Sequence, residues 1–162
     1  MDEIKTAIKM GSDAIAFYTE AAGRTSNKVG KKMFLSIAED EKRHLEYLTR
    51  LLNKMEFKLE RVNPMDRIKT IFSELKDEMS ARITATTDEI EVLKIAMRME
   101  REGYDFYKRL SEDQTHEERF RELFKVLMAE EQKHYEAFSN THSFLTDTGN
   151  WFMWSEHSIV EG

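Results

Sequence analysis

The chain of 162 residues contains no cysteine, one proline and six glycines. Without cysteine there is no disulfide, no thiolate ligand for zinc or iron, and no cysteine nucleophile. Any metal would have to be held by carboxylates and imidazoles. The scarcity of proline and glycine, together with 35% charged residues, disfavours sheets with tight turns and favours long helices with solvated outer faces. We therefore expect a single all-α domain.

An excess of positive charge is also missing. The chain has 25 Lys and Arg against 31 Asp and Glu, a formal charge of −6, which is the wrong sign for binding nucleic acid or an anionic membrane surface. The first residues, MDEIKTAIKMGSD, carry charges every few positions and lack the apolar run of a signal peptide or membrane span. We expect a cytoplasmic protein whose ligands are small molecules, metals or other proteins.

Four long segments show the apolar spacing of amphipathic helices. They cover approximately residues 2–22, 28–54, 87–110 and 115–141. Thr86 with Glu89, and Thr115 with Glu118, have the spacing of a capping box and predict the starts of the third and fourth helices.

Residues 55–87 separate the two helix pairs and differ from them in composition. They contain the only proline, Pro64, and predict a short helix over about 67–79. Short loops within each pair favour antiparallel hairpins, whereas this segment is long enough to run the length of a bundle. The prediction is a four-helix bundle over residues 1–141, with one long crossover between helices 2 and 3.

The two halves of the chain resemble each other. Residues 7–18, AIKMGSDAIAFY, align with residues 96–107, AMRMEREGYDFY, at an offset of 89. Residues 39–46, EDEKRHLE, align with residues 129–136, AEEQKHYE, at an offset of 90. The repeat predicts two hairpins related by a pseudo-twofold axis.

Three glutamates and two histidines interrupt the apolar stripes that should face the core: Glu41, His44, Glu100, Glu131 and His134. The spacing Glu-x-x-His puts both side chains on one helix face, although this spacing alone is weak evidence. A buried carboxylate without a counter-charge costs several kcal/mol, and no lysine or arginine lies on these stripes. The pattern therefore predicts divalent ions between the five side chains, and oxygen and nitrogen donors without sulfur suit iron or manganese, with zinc possible.

These stretches resemble the rubrerythrin-type di-iron proteins of the ferritin-like superfamily, whose bundles carry a single Glu followed by Glu-x-x-His, twice over. The resemblance covers AIKMGSDAIAFYTEAA and FLSIAEDEKRHLEYL in the first half, and AMRMEREGYDFYKRL and LFKVLMAEEQKHYEAF in the second. It implies that Glu41 and Glu131 bridge two metals. His44 and His134 would then bind one ion each, and Glu100 would be a terminal ligand.

The same resemblance implies two iron ions as the cofactor, with manganese or zinc as alternatives, and no haem, iron–sulfur cluster or nucleotide. Tyr18 and Tyr107 look like the core tyrosines of this family, which hydrogen-bond to ligand carboxylates. The alternative for both is an ordinary core aromatic.

One ligand position departs from the family pattern, because the repeat places Gly11 opposite Glu100, where the family has glutamate. Neither Asp13 nor Glu20 lies on the same face of the helix. Two interpretations stay open. The metal beside His44 has an open position for water, peroxide or a borrowed ligand, or the site has drifted and binds one metal or none.

A second departure concerns electron supply. Gly103 stands where rubrerythrins carry a further glutamate, and the cysteine-ligated rubredoxin domain is missing, so electrons would come from a separate donor protein. The predicted function is an oxidoreductase that reduces peroxide or dioxygen in defence against oxidative stress. The alternatives are a ferroxidase or iron-handling protein, and a non-enzymatic metal-binding or interaction bundle.

The last predicted segment is an aromatic tail over residues 142–162. Trp151, Phe152 and Trp154 present too much apolar area to leave in water. We expect the tail to pack on the bundle or on a partner subunit in a homodimer or larger homo-oligomer.

Overall fold

The computed structural model describes residues 2–75, 84–149 and 151. Within these ranges the chain forms five α-helices: α1 (Asp2–Arg24), α2 (Lys28–Leu52), α3 (Pro64–Glu74), α4 (Thr87–Glu112) and α5 (Glu118–Thr148). The described residues include no strand, so the all-α prediction is confirmed. None of the described helices is long and apolar enough to cross a membrane.

The four long helices pair as α1 with α2 and α4 with α5. Short loops join the members of each pair, which makes them antiparallel. The backbone N–H of Ser26, just before α2, donates to Glu89 in the first turn of α4 at 2.8 Å. Helices α2 and α4 therefore begin at the same end of the bundle and run parallel, which confirms the ferritin-like bundle with a long crossover.

The crossover helix α3 begins earlier than predicted. Pro64 occupies its first turn, where the missing N–H costs nothing, and the side chain of Asn63 caps the helix by accepting from the N–H of Met65 at 3.1 Å. Part of the predicted span, residues 76–79, lies outside the described residues.

The last helix differs from its predicted bounds at both ends. The hydroxyl and the N–H of Thr115 both bond to Asp113, at 2.6 and 2.9 Å, so Thr115 closes a turn and Glu117 takes the N-cap position of α5. At the other end α5 continues past Thr141 to Gly149, whose φ of 72° stops it. Glycine adopts this left-handed conformation without strain, which makes it a common helix terminator.

Two apolar clusters fill the bundle, one on each side of a polar middle. Along α2 the residues of the first cluster precede Glu41 and those of the second follow His44, whereas along α5 the order is reversed. The predicted site residues therefore lie midway along the bundle, with packed apolar side chains above and below them.

Glu89 closes one end of the bundle. Its carboxylate accepts from the backbone of Thr86 and of Ser26 at 2.9 and 2.8 Å, from the Ser26 hydroxyl at 3.0 Å, and from Trp151 Nε1 at 3.1 Å. Trp151 is fully buried, and a Cβ at Gly30 would lie 2.8 Å from its ring. This tryptophan of the tail thus packs on the bundle, while Phe152 and Trp154 lie outside the described residues.

The Glu89 contacts predict an acid-sensitive contribution to stability. Burial opposes the charge of Glu89, but the hydrogen bonds from Thr86, Ser26 and Trp151 outweigh burial and lower its pKa from 4.5. A lowered folded pKa stabilises the protein above the unfolded value, and this contribution is lost as the pH falls through the folded value. Glu89→Gln should lower the free energy of unfolding at pH 7 by about 1.5–3 kcal/mol.

Urea unfolding of both proteins at pH 7 and at progressively lower pH measures this difference, which should shrink below about pH 4.5. The matched control is Glu91→Gln, since Glu91 is exposed and pairs with Lys94 across one helix turn. Equal stability of the Glu89 and Glu91 variants would contradict the assignment.

Candidate metal centre

The structure brings all five predicted site residues together in the middle of the bundle. Glu41 and His44 come from α2, Glu100 from α4, and Glu131 and His134 from α5. Each is at most 4% exposed. The helical stripes that place them there carry apolar residues before and after them.

The five side chains form two halves that share Glu41. In one half, His134 Nδ1 lies 3.3 Å from Glu41 Oε1 and 3.4 Å from Glu100 Oε2. In the other half, His44 Nδ1 lies 3.3 Å from Glu131 Oε1 and 3.6 Å from Glu41 Oε2. Four of the residues each offer one ligand atom, and these atoms all lie within 4.8 Å of one another: Glu41, Glu100, Glu131 and His134.

Several buried atoms at the centre lack hydrogen-bond partners. In the described part of the chain, seven buried side-chain atoms have no hydrogen-bond partner. Five of these are the converging atoms of the centre: Glu41 Oε1, His44 Nδ1, Glu100 Oε2, Glu131 Oε1 and His134 Nδ1. Buried polar groups are almost always partnered, and divalent cations would satisfy all five at once. The residues therefore fit a carboxylate and imidazole metal site.

Each histidine is held from behind by a carboxylate. His44 Nε2 lies 3.0 Å from Glu130 Oε1, and His134 Nε2 lies 2.9 Å from Asp40 Oδ2. A donor bond from Nε2 fixes the ring and leaves Nδ1 to face the centre, which is the usual arrangement behind a metal-binding histidine.

Arg43 joins the two supporting carboxylates. Its guanidinium donates two bonds to Glu130, at 2.5 and 3.0 Å, and one to Asp40 at 3.3 Å. Our sequence reasoning missed Asp40, Arg43 and Glu130. A signal was available, because an acidic residue directly precedes the glutamate of Glu-x-x-His in both copies of the repeat.

The two tyrosines differ in their contacts. The Tyr18 hydroxyl donates to Glu100 Oε1 at 2.6 Å. Tyr107 is buried in the equivalent place of the second copy but makes no hydrogen bond with any residue that the structure describes. Burial and the nearby charge of Glu131 raise the pKa of Tyr107 well above its usual value, so it is a neutral hydroxyl at the edge of the centre.

A cavity of about 150 Å³ adjoins the cluster between α1 and α4. Its lining includes Gly11, Gly103 and Tyr107, and also the carboxylates Glu41, Glu100 and Glu131. A Cβ at Gly103 would lie 2.7 Å from Glu131 Oε2, so this carboxylate would have to shift, whereas a Cβ at Gly11 would meet only Leu45, at 3.9 Å. The vacant ligand position predicted at Gly11 is therefore open space beside the centre.

Without metal, the centre retains protons. Burial raises the pKa of Glu131 well above its usual value, and the charges of Glu100 and Glu41 raise it further. Burial lowers the pKa of His44, but contacts with Glu130 and Glu41 outweigh it and raise that pKa to about 9. The charge of Glu100 and the contact with Asp40 likewise outweigh burial and raise the pKa of His134.

The architecture is that of the ferritin-like carboxylate proteins, in which helices of a four-helix bundle project glutamates and Glu-x-x-His motifs into the core. The family model described as Rubrerythrin matches residues 2–142, which is most of the chain, and the protein belongs to this family. Neither the curated proteins nor the solved structures provide a match.

Metal binding should release protons, because a metal-binding imidazole must be neutral. Between pH 6.5 and about 9, His44 is protonated in the metal-free protein and would be neutral in the metal-bound one. The affinity for a divalent ion should therefore rise with pH in this window, about tenfold per unit for each proton released. Calorimetric titration with manganese(II) in buffers of different ionisation enthalpy counts the protons. An affinity independent of pH would refute the expected displacement.

Removing a supporting carboxylate should weaken the centre without touching a metal-facing atom. Asp40→Ala leaves His134 Nε2 without its partner, so metal affinity should fall by about 10- to 100-fold. Glu39→Ala is the matched control, since Glu39 is exposed and pairs with Lys42 on the surface. Titration of both variants with the same ion tests this, and equal affinities would show that Asp40 does not orient His134.

Proposed function

We propose that the protein is a non-haem oxidoreductase that uses a dinuclear metal centre, with iron as the native metal, to reduce peroxide or dioxygen. The convergence of five unpartnered buried ligand atoms supports this proposal most directly. Oxygen and nitrogen donors without sulfur suit iron, and membership of the rubrerythrin family favours the same metal.

The protein positions the ligand side chains and excludes water from most of the centre. Glu41 lies beside both histidines and Glu131 lies beside His44, and these two carboxylates would hold the two ions together. The Tyr18 hydroxyl holds Glu100 as a terminal ligand. A bound pair of iron ions supplies two electrons and Lewis acidity to a small oxidant. The cavity beside Gly11 admits such a molecule, while the two apolar clusters keep bulk water from the rest of the centre.

Electrons must reach the centre from outside the chain. With no cysteine, the chain cannot hold a thiolate-bound iron or iron–sulfur cluster of its own. A separate donor protein is therefore part of the proposal, as is a homodimer or larger assembly that leaves the cavity open.

One observation favours a ferroxidase as the second candidate. The cavity reaches the surface beside Asp13 and Glu102, which are both exposed. Asp13 is paired with Lys9, so the negative charge of Glu102 is the one that would attract ferrous ions at this rim, as expected if iron is the substrate rather than the cofactor.

Anaerobic titration with ferrous iron, followed by peroxide, separates these functions. The oxidoreductase should bind two iron ions per chain and consume peroxide repeatedly when an electron donor is supplied. A ferroxidase should instead convert added iron to a ferric mineral without an external donor. Binding of no metal would leave only the interaction bundle.

A matched pair of variants ties turnover to the centre. Glu131→Gln should reduce peroxide consumption to that of free ferrous iron, because it removes a charged bridge between the two halves. Glu136→Gln, on the same helix but paired with Lys133 near the surface, should leave turnover unchanged. Equal rates for the two variants would refute a role for the centre in the reaction.

A further inference from the structure

The two halves of the centre are unequal in a way that the repeat makes visible. On one side His134 faces Glu100, the carboxylate from α4. The repeat partner of Glu100 is Gly11, at an offset of 89. The side of His44 has an imidazole with Glu41 and Glu131. Both of these carboxylates also adjoin the His134 side, so the His44 side has no carboxylate of its own.

The two tyrosines of the repeat differ in the same way, because one has a carboxylate partner and the other has none among the described residues. Tyr18 donates to the carboxylate of Glu100 at 2.6 Å. Tyr107 is the repeat partner of Tyr18, at the same offset of 89, and is 3% exposed. It lines the cavity beside Gly11 and has no hydrogen-bonding partner among the described residues. By the symmetry of the repeat, Tyr107 would donate to a carboxylate at position 11, as Tyr18 does to Glu100, but Gly11 has no side chain to accept the bond.

The space at Gly11 is large enough for such a group. A cavity needs only ~10–15 Å³ to hold one water molecule, and this one has about 150 Å³. Its rim reaches the surface beside Asp13, whose charge is offset by Lys9 at 2.9 Å. A small molecule can enter without displacing a helix.

The repeat indicates the kind of molecule. Two divalent ions would meet three carboxylates in the middle of the bundle, Glu41, Glu100 and Glu131, and a glutamate at position 11 would make a fourth. Asp40, Glu130 and Arg43 lie behind the histidines and add no ligand to this inner set. A monocarboxylate is therefore the group that completes the inner ligand set, as a glutamate at position 11 would.

We propose that the cavity beside Gly11 binds a small monocarboxylate, of the size of formate or acetate, which replaces the missing glutamate as the ligand on the His44 side. Tyr107 donates a hydrogen bond to one carboxylate oxygen, and the other oxygen faces the His44 half of the centre. The inference rests on the metal-binding part of the proposed function and holds for either an oxidoreductase or a ferroxidase.

The test is anaerobic calorimetric titration with ferrous iron, in sodium acetate and in sodium chloride at equal ionic strength. In the native protein acetate should strengthen binding of the weaker ion by about tenfold or more, as loss of a supporting group costs a metal site that much. Gly11→Glu should bind both ions equally well in either salt, which also corrects for iron complexed by acetate in solution. Gly11→Gln, of equal length but uncharged, should bind the weaker ion poorly in both salts.

Tyr107→Phe provides a second test that keeps the ring packing. It should reduce the acetate effect severalfold while leaving binding of the stronger ion, on the His134 side, unchanged. Two tightly bound ions with no acetate dependence would overturn the inference and leave the proposed function intact. The same result, combined with loss of one ion in Glu102→Gln, would identify the carboxylate of Glu102 as the ligand instead. Failure to bind iron in either salt would refute both proposals.

Discussion

The rest of the structure depends on placing three carboxylates and two imidazoles in the dry middle of a helical bundle. The protein's own residues provide partners for the outer atoms of this cluster. Arg43 donates hydrogen bonds to the outer carboxylates of Asp40 and Glu130, and these carboxylates hold the two histidines. The inner atoms are left for cations, because no lysine or arginine among the described residues reaches them. The centre is thus rigid on the outside and unsatisfied on the inside.

The repeat explains both the order and the asymmetry of the centre. The apolar stripes of the two hairpins have stayed alike, since each must pack against the other. The polar positions have diverged, because Gly11 stands opposite Glu100 and Lys133 stands opposite Arg43. Lys133 pairs with Glu136 on its own helix, so a single arginine serves both outer carboxylates. One side of the bundle therefore supplies more ligands and the other supplies more space.

Much of this could be predicted from the sequence, because burial follows from helical periodicity. Glu41 and Glu131 lie on stripes whose other members are apolar, and this fixed their position in the core. The bounds of α5 were wrong because Thr115 bonds locally to Asp113 and because Gly149, not Thr141, stops the helix. The Arg43 contacts were missed because they join helices across the bundle, where spacing along one helix carries no information.

The carboxylate of Glu89 binds segments from three parts of the chain: the loop before α2, the start of α4 and the C-terminal Trp151. The contacts with Ser26 and Trp151 span 63 and 62 residues along the chain. Residues this far apart along the chain come into contact only after the entropic cost of closing the intervening loop has been overcome. The two hairpins, although copies in sequence, therefore cannot finish folding separately, and this end of the molecule locks only when the whole chain has assembled.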